Sequence, residues 1–287
     1  MDIKNVLMAF LWFALISGAL GIMLALASKI FAVPVNKKAE EIEQVLPGAN
    51  CGGCGYTGCA ACALAIAEGK ARITACTVGG QDTADKISGI MGVGGEKAVR
   101  MRAQVMCSGT EECSKKKYDY VGVSDCVAAV RLGGGNKMCP NGCIGLGTCV
   151  SVCKFGAIKV VDGVSTIDYS KCTGCGTCVA ACPKHIIKLI PYDAAHWVGC
   201  MSVDNGKVTR SYCDVGCISC KLCQKNCPAG AITVDNFVAS IDYSKCIDCG
   251  ACVEKCPRKI IWSSETANGF MTIARGEIDH SVKGTAE

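Results

Sequence analysis

The sequence predicts an α+β chain: an N-terminal transmembrane helix, a small cysteine-rich domain, and two tandem copies of one compact module. Three observations predict it. Val6 to Ala27 is an uncharged apolar run of 22 residues. Of the 287 residues 26 are Cys, many of them in C-x2-C-x2-C-x3-C runs. The segment from about 126 to 190 recurs without a gap 74 positions later.

At about 1.5 Å per residue the apolar run reaches roughly 33 Å, enough to cross a bilayer core. A cleaved signal peptide is the competing reading, because Ala25-Leu26-Ala27 resembles a cleavage site. The run is longer than an ordinary signal core, and only Lys4 precedes it. Lys29, Lys37 and Lys38 follow it. The positive-inside rule therefore predicts a retained, single-pass anchor (1–28) in the cytoplasmic membrane, with the bulk of the chain on the cytoplasmic side. The charged stretch Lys37 to Leu46 predicts a short helical stalk (29–46), ended by Pro47-Gly48.

Such cysteine density would mean a disulfide scaffold in a short secreted chain. These runs instead gather three thiolates around one small volume, and the cytosol keeps thiols reduced, so the pattern means metal. Aromatic residues make up only 6% of the chain. Metal binding would then supply much of the folding free energy, and the soluble part is expected to unfold without it.

Near the anchor, Cys51-x2-Cys54-x4-Cys59-x16-Cys76 predicts one [4Fe–4S] cluster in a domain spanning 47–80. Gly52, Gly53, Gly55 and Gly58 let the loop close tightly. Cys59 opens an Ala-rich helix running to Glu68, and Cys62, one turn along it, reads as core rather than ligand. Residues 81–125 read as a linker domain. It holds Gly92, Gly94 and Gly95, a basic amphipathic stretch (Glu96 to Met106) and Lys115-Lys116-Lys117. No Gly-Lys-Ser/Thr follows those glycines, so they read as turns and not as a phosphate cradle.

In the repeat, Ile167 to Cys172 matches Ile241 to Cys246, and Cys182-Pro183 matches Cys256-Pro257. The ungapped match extends back to Cys126 and Cys139, which fall on Cys200 and Cys213. One module spans 126–190 and its copy 200–262. Each predicts a hairpin, turning at Asp162-Gly163 in the first and at Asp235-Asn236 in the second. The tail (263–287) has no Cys and is expected to be partly disordered.

The second module carries the two-cluster ferredoxin spacing, in which the fourth Cys of each run ligates the other cluster. Cys217, Cys220, Cys223 and Cys256 are expected to hold one [4Fe–4S]; Cys246, Cys249, Cys252 and Cys227 the other. In the first module Cys153, Cys172, Cys175 and Cys178 form one such set. The other has Cys143, Cys149 and Cys182, with Leu146 where the copy has Cys220. Cys139 is the nearest substitute, and a three-iron cluster is the alternative. Zinc would want two C-x2-C pairs or some His. Beyond these at least five clusters, a sixth is expected from Cys107, Cys113 and Cys126, with Cys200 or Cys213 as fourth ligand. Buried free thiols are the alternative.

The order of membrane helix, stalk, CGGCGYTGC with its distant fourth Cys, then ferredoxin modules resembles the B subunit of the Rnf complex. That family belongs to an ion-translocating ferredoxin:NAD⁺ oxidoreductase of bacterial cytoplasmic membranes. The likeness covers Val6 to about Trp262. The chain departs from the simplest members by its second module and by Cys107, Cys113, Cys126, Cys200 and Cys213. The resemblance implies that the chain accepts electrons from reduced ferredoxin and relays them through its clusters. Partner subunits, some binding NAD or flavin and some membrane-embedded, would couple that flow to Na⁺ or H⁺ movement and NAD⁺ reduction. The chain is then the electron-transfer subunit of a translocase, with no catalytic residues of its own. The absence of a G-x-G-x-x-G unit after a strand agrees.

Two rivals remain: a related membrane complex that reduces a cytoplasmic redox sensor, and a zinc- or cluster-binding scaffold that carries no current. Net charge is +5, with Lys154, Lys171, Lys184, Lys221, Lys225, Lys245, Lys255 and Lys259 beside the cysteines. These either offset anionic clusters or steer an acidic electron donor. They are not interleaved with aromatics, so nucleic acid is not an expected partner.

Overall fold

The computed structural model describes residues 3–30 and 36–264. Its elements are α1 (Ile3–Ile30), α2 (Lys37–Val45), α3 (Cys59–Ala67), α4 (Gly80–Met91), β1 (Met101–Val105), α5 (Cys126–Arg131) and α6 (Thr148–Ser151). There follow β2 (Ile158–Val161), β3 (Val164–Ile167), α7 (Thr177–Ala181), β4 (Ile187–Pro191), β5 (His196–Val198), α8 (Gly206–Tyr212) and α9 (Leu222–Lys225). β6 (Ile232–Asp235), β7 (Val238–Ile241), α10 (Ala251–Lys255) and β8 (Ile261–Ser263) complete the described residues. The cysteine-free tail falls almost wholly outside the described residues.

The apolar run lies within α1. Phe10–Lys29 has a mean hydropathy of 2.2, and none of it is buried against the rest of the chain. Phe10, Leu11, Trp12 and Phe13 are all exposed. Water would not tolerate so continuous an apolar surface, whereas a bilayer would. α2, expected as a stalk, packs instead as one wall of the first domain. Its Ile42 is fully buried against Cys62, Ala63 and Ile66 of α3 and Ile87 of α4. Helix α4 lies where a linker is expected, and Gly92, left-handed at φ 69°, ends it.

Most secondary structure beyond α4 is short, as befits modules whose cores are cysteine-rich. The hairpin β2–β3 turns at Asp162-Gly163, both residues at positive φ, as a type I′ turn requires. The copy β6–β7 turns one residue later than expected, at Asn236-Phe237, because Asp235 still pairs with Val238. The amphipathic stretch before Met106 contains β1, which pairs antiparallel with β4; β5 pairs likewise with β8.

These two pairings are equivalent and correct the ungapped alignment. Val105 faces Ile187, and Val198 faces Ile261. Met106 donates to the Ile186 carbonyl, and Gly199 to the Ile260 carbonyl, both at 2.8 Å. Ile186 and Ile260 are repeat partners, so the structural counterpart of Cys200 is Cys107, not Cys126. Between Cys107 and Cys139 the first module has 31 residues where the second has 12 between Cys200 and Cys213. Cys126 belongs to that insertion.

Candidate iron–sulfur sites

Each cysteine run sits on a tight loop that leads into a short helix. In the second module, one cavity is lined by Cys217, Cys220, Cys223 and Cys256. Another is lined by Cys227, Cys246, Cys249 and Cys252. Both match the expected sets, and each takes one cysteine from the opposite run. In the first module, burial pushes the Cys178 thiol up to about 12, helped by Cys172, Cys175, Cys149 and Cys153 beside it. Near the anchor, Cys54, Cys59 and Cys76 gather around buried Cys62, whose thiol burial pushes up to about 12.

The incomplete set of the first module is where the expectation and the geometry part. Cys143, Cys149 and Cys182 share a cavity with Cys126, while Cys139 lines a different one. Cys126 begins α5, and its backbone N–H donates to Thr148 Oγ1 at 2.7 Å. Thr148 donates in turn to Asp125 Oδ1, which caps α5 by accepting from Val127 N. Leu146 packs beside Cys126 and Ile144. Apolar packing thus holds α5 over the gap left by the missing cysteine. A further cavity is lined by Cys107, Cys139, Cys200 and Cys213, so Cys113 and Cys126 do not join Cys107 as expected.

The cavities suit a multi-iron cluster better than single ions. Four thiolates on one zinc would stand about 3.8 Å apart, given Zn–S bonds of about 2.3 Å. Among the described residues, no three His, Cys, Asp or Glu side chains converge in that way. His196, buried against the cavity of Cys227, Cys246, Cys249 and Cys252, has both ring nitrogens without a partner. Backbone donors already point at sulfur: Ala157 N to Cys153 Sγ (3.4 Å), its repeat partner Ala231 N to Cys227 Sγ (3.3 Å), and Gly79 N to Cys76 Sγ (3.4 Å). Such donors favour thiolate and tune cluster potential.

Burial holds the free thiols protonated. Cys143 and Cys200 are pushed up to about 12, and Cys139, Cys223 and Cys252 to about 11. Taking up a cluster means losing those protons, and at Cys143 the fold supplies a buried cation that helps. Lys137 is almost wholly buried with no carboxylate partner among the described residues, and donates to the carbonyls of Gly109 and Gly163 at 2.7 and 2.9 Å. Its charge favours the thiolate of Cys143. Arg102, equally buried, lies 3.8 Å over the Tyr169 ring and donates to the carbonyls of Tyr192 and Ala194. Nothing in sequence spacing marks either cation.

The first domain docks on the first module. Thr177 Oγ1 donates to the Cys51 carbonyl (3.4 Å), and Lys154 Nζ to the Asn50 carbonyl (2.8 Å). A Cβ on Gly53 would lie 2.1 Å from the Cys175 carbonyl oxygen, so only glycine permits this approach. In contrast, Cys220 and Cys249 of the second module are exposed.

Comparison with known proteins agrees with this layout. A family profile for an "Fe-S cluster" matches residues 46–78, a "4Fe-4S binding domain" profile 165–188, and a "4Fe-4S dicluster domain" profile 216–261. The B subunit of the ion-translocating oxidoreductase complex of Methanosarcina acetivorans is 45% identical over 85% of this chain and 92% of its own length. The B subunit of the Na⁺-translocating ferredoxin:NAD⁺ oxidoreductase complex of Acetobacterium woodii is 46% identical over 84% of this chain and 73% of its own. The B subunit of the proton-translocating counterpart in Clostridium ljungdahlii is 40% identical over 88% and 91%.

Proposed function

This chain belongs to the B-subunit family of ion-translocating ferredoxin:NAD⁺ oxidoreductase complexes, and from that premise we propose that it is the complex's electron inlet, running from an exposed second module to the membrane anchor. The observation that carries the proposal is the order of cysteine sets along the fold. The set nearest α1 in sequence abuts the first module, and only the second module brings cysteines to the surface.

In this reading both modules are two-cluster ferredoxin units. Five [4Fe–4S] clusters are held by Cys51, Cys54, Cys59 and Cys76; by Cys126, Cys143, Cys149 and Cys182; by Cys153, Cys172, Cys175 and Cys178; by Cys217, Cys220, Cys223 and Cys256; and by Cys227, Cys246, Cys249 and Cys252. Bound clusters supply one-electron transfer. The chain's own residues hold them, offset their charge and exclude water.

Reduced ferredoxin docks on the second module. There Ile247, Phe237 and Leu222 are exposed apolar groups, with Lys221, Lys225, Lys245 and Lys255 exposed around them. An apolar centre with a charged rim is the ordinary anatomy of a transient interface. α1 anchors the chain on the cytoplasmic face, and other subunits carry the nicotinamide and flavin chemistry and the Na⁺ or H⁺ path.

Potentiometric EPR on the anaerobically isolated complex tests this. Reduced ferredoxin is expected to reduce clusters of this chain without NAD⁺ present. Clusters that ferredoxin leaves oxidised would make the chain a scaffold.

A further inference from the structure

One cavity is lined by Cys107, Cys139, Cys200 and Cys213, four cysteines that lie outside every matched profile and outside the ferredoxin runs. We propose that it is a sixth [4Fe–4S] site, built on the seam between the two modules with two ligands from each. The inference rests on the reading that the modules themselves hold iron–sulfur clusters.

Its symmetry is the main argument. Cys139 and Cys213 are repeat partners in sequence. Cys107 and Cys200 are partners in structure, each two residues past the end of a strand paired in the same register, β1 on β4 and β5 on β8. Cys107 Sγ accepts from the backbone N–H of Cys143 at 3.4 Å, and Cys200 Sγ from that of Cys217 at 3.3 Å. Cys143 and Cys217 are themselves repeat partners. Two equivalent half-sites therefore face each other across one cavity, each with a backbone donor already aimed at sulfur. Buried cysteines with no role would have no reason to keep this correspondence through an insertion in one copy only.

The surroundings are built for the same end. Gly142, Gly199 and Gly216 line the cavity and leave it room. Residues 113–117 form a small ladder that holds its two walls together. Ser114 bridges to Cys213 on one side, and Lys116 to Lys137 on the other. Lys115 donates to the Tyr212 carbonyl, and Asp214 to the Cys113 carbonyl, each at 2.9 Å. Cys113 thus contributes backbone to the seam while its neighbour Ser114 lines the cavity. Arg258 crosses from the next cavity to donate to the carbonyls of Cys213 (3.1 Å) and Gly216 (3.2 Å).

The position gives the site its purpose. Cys143 lines one cavity of the first module and Cys217 one of the second, and each donates its N–H to a seam sulfur. A cluster here would stand directly between the two modules and join them into one conductor. Of the 26 cysteines, 24 then fall into six sets of four, and only Cys62 and Cys113 stand outside.

Iron counting on the anaerobically purified full-length chain decides the matter. The parent is expected to hold about 24 iron atoms, four for each cluster. Cys213→Ser and Cys200→Ser should each lose about four, or leave a three-iron EPR signal. The double variant Cys200→Ser/Cys213→Ser should lose about four and no more, since both residues serve one cluster. Cys113→Ser should keep the parental count. Should Cys213→Ser fail to fold, Cys107→Ser, in a loop outside both ferredoxin runs, carries the same expectation. A parent near 20 that Cys213→Ser leaves unchanged overturns the seam site alone. So does a double variant that loses about eight, or a Cys113→Ser chain that loses iron. Zinc in place of iron in the parent would instead overturn the reading of the modules, and the seam site with it.

Discussion

The two modules share one pattern but differ in how far they are enclosed. The first is enclosed: an insertion covers it, the anchor-proximal domain packs on it through Gly53, and its cysteines are buried or half-buried. The second keeps the regular run of eight cysteines and opens two of them to solvent among unburied lysines. One copy is shaped for passing electrons inward and the other for meeting a partner. What separates them is a few local changes: one Leu for Cys, one insertion, one close approach.

Removing iron should produce the largest contrast. The second module's core gathers six cysteines, two of them buried, among nine aliphatic residues. β1 and β4 also rest on a metal-independent cluster of Met106, Ile190, Ala194 and Trp197, on which Tyr243 and Trp262 pack from the second module. Chelated anaerobically, the chain is expected to lose hydrogen-exchange protection throughout 217–241 while β1, β4 and β8 keep part of theirs. Uniform loss in both modules would erase the distinction.

Next in size is a ligand exchange. Cys126→Ser should cost about four iron atoms or leave a three-iron signal, and adding Leu146→Cys should restore them by returning the first module to the second's pattern. If Cys139→Ser behaves this way and Cys126→Ser does not, the insertion is not the source of the ligand.

Surface charge should divide the modules too. Lys221→Glu with Lys255→Glu is expected to slow ferredoxin oxidation about tenfold at low salt. The gap should close as ionic strength rises and the screening length falls below about 8 Å. Stopped-flow rates that stay flat with salt would refute steering. Gly53→Ala acts on the other module: its Cβ must displace the Cys175 carbonyl, at about 1–3 kcal/mol, read as a lower melting temperature of the loaded chain.

The smallest expected effect is at Asp125. Hydrogen bonds from Thr148 and Val127 N hold its carboxyl below the usual carboxylate value. A folded pKa below the unfolded one gives stability above the unfolded value, lost as pH falls through the folded one. Asp125→Ala should therefore weaken the parent at neutral pH, and the difference should vanish well below pH of about 4. Equal melting at every pH would remove the cap from the account.

Much of this was legible in the cysteines. Runs with fixed spacing specify local loops, and a loop's ligands lie near in sequence, so the second module's cavities match expectation residue for residue. Cys126 was not legible, because the ungapped repeat aligns it with Cys200, a coincidence of length that only strand pairing exposes. The turn at Asn236-Phe237 was missed by one residue, since Asp235 can either end a strand or begin a turn. Cys107 sits just past the stretch that reads as basic and amphipathic, and its partners lie in other segments. Arg102 and Lys137 were invisible for a similar reason: a buried cation is defined by carbonyls and rings brought from far along the chain.

The ladder at 113–117 also bears on how the protein is made. Its backbone pairs on one edge with 136–138 of the first module and on the other with 212–214 of the second. During synthesis the first edge can close almost at once. The second must wait for about 95 further residues, roughly 5 to 20 s at ribosomal speed. For that interval the nascent chain carries an open strand edge flanked by reactive thiols. Lys115, Lys116 and Lys117 along that edge are the residues natural proteins use to keep an open strand from pairing with a neighbour's.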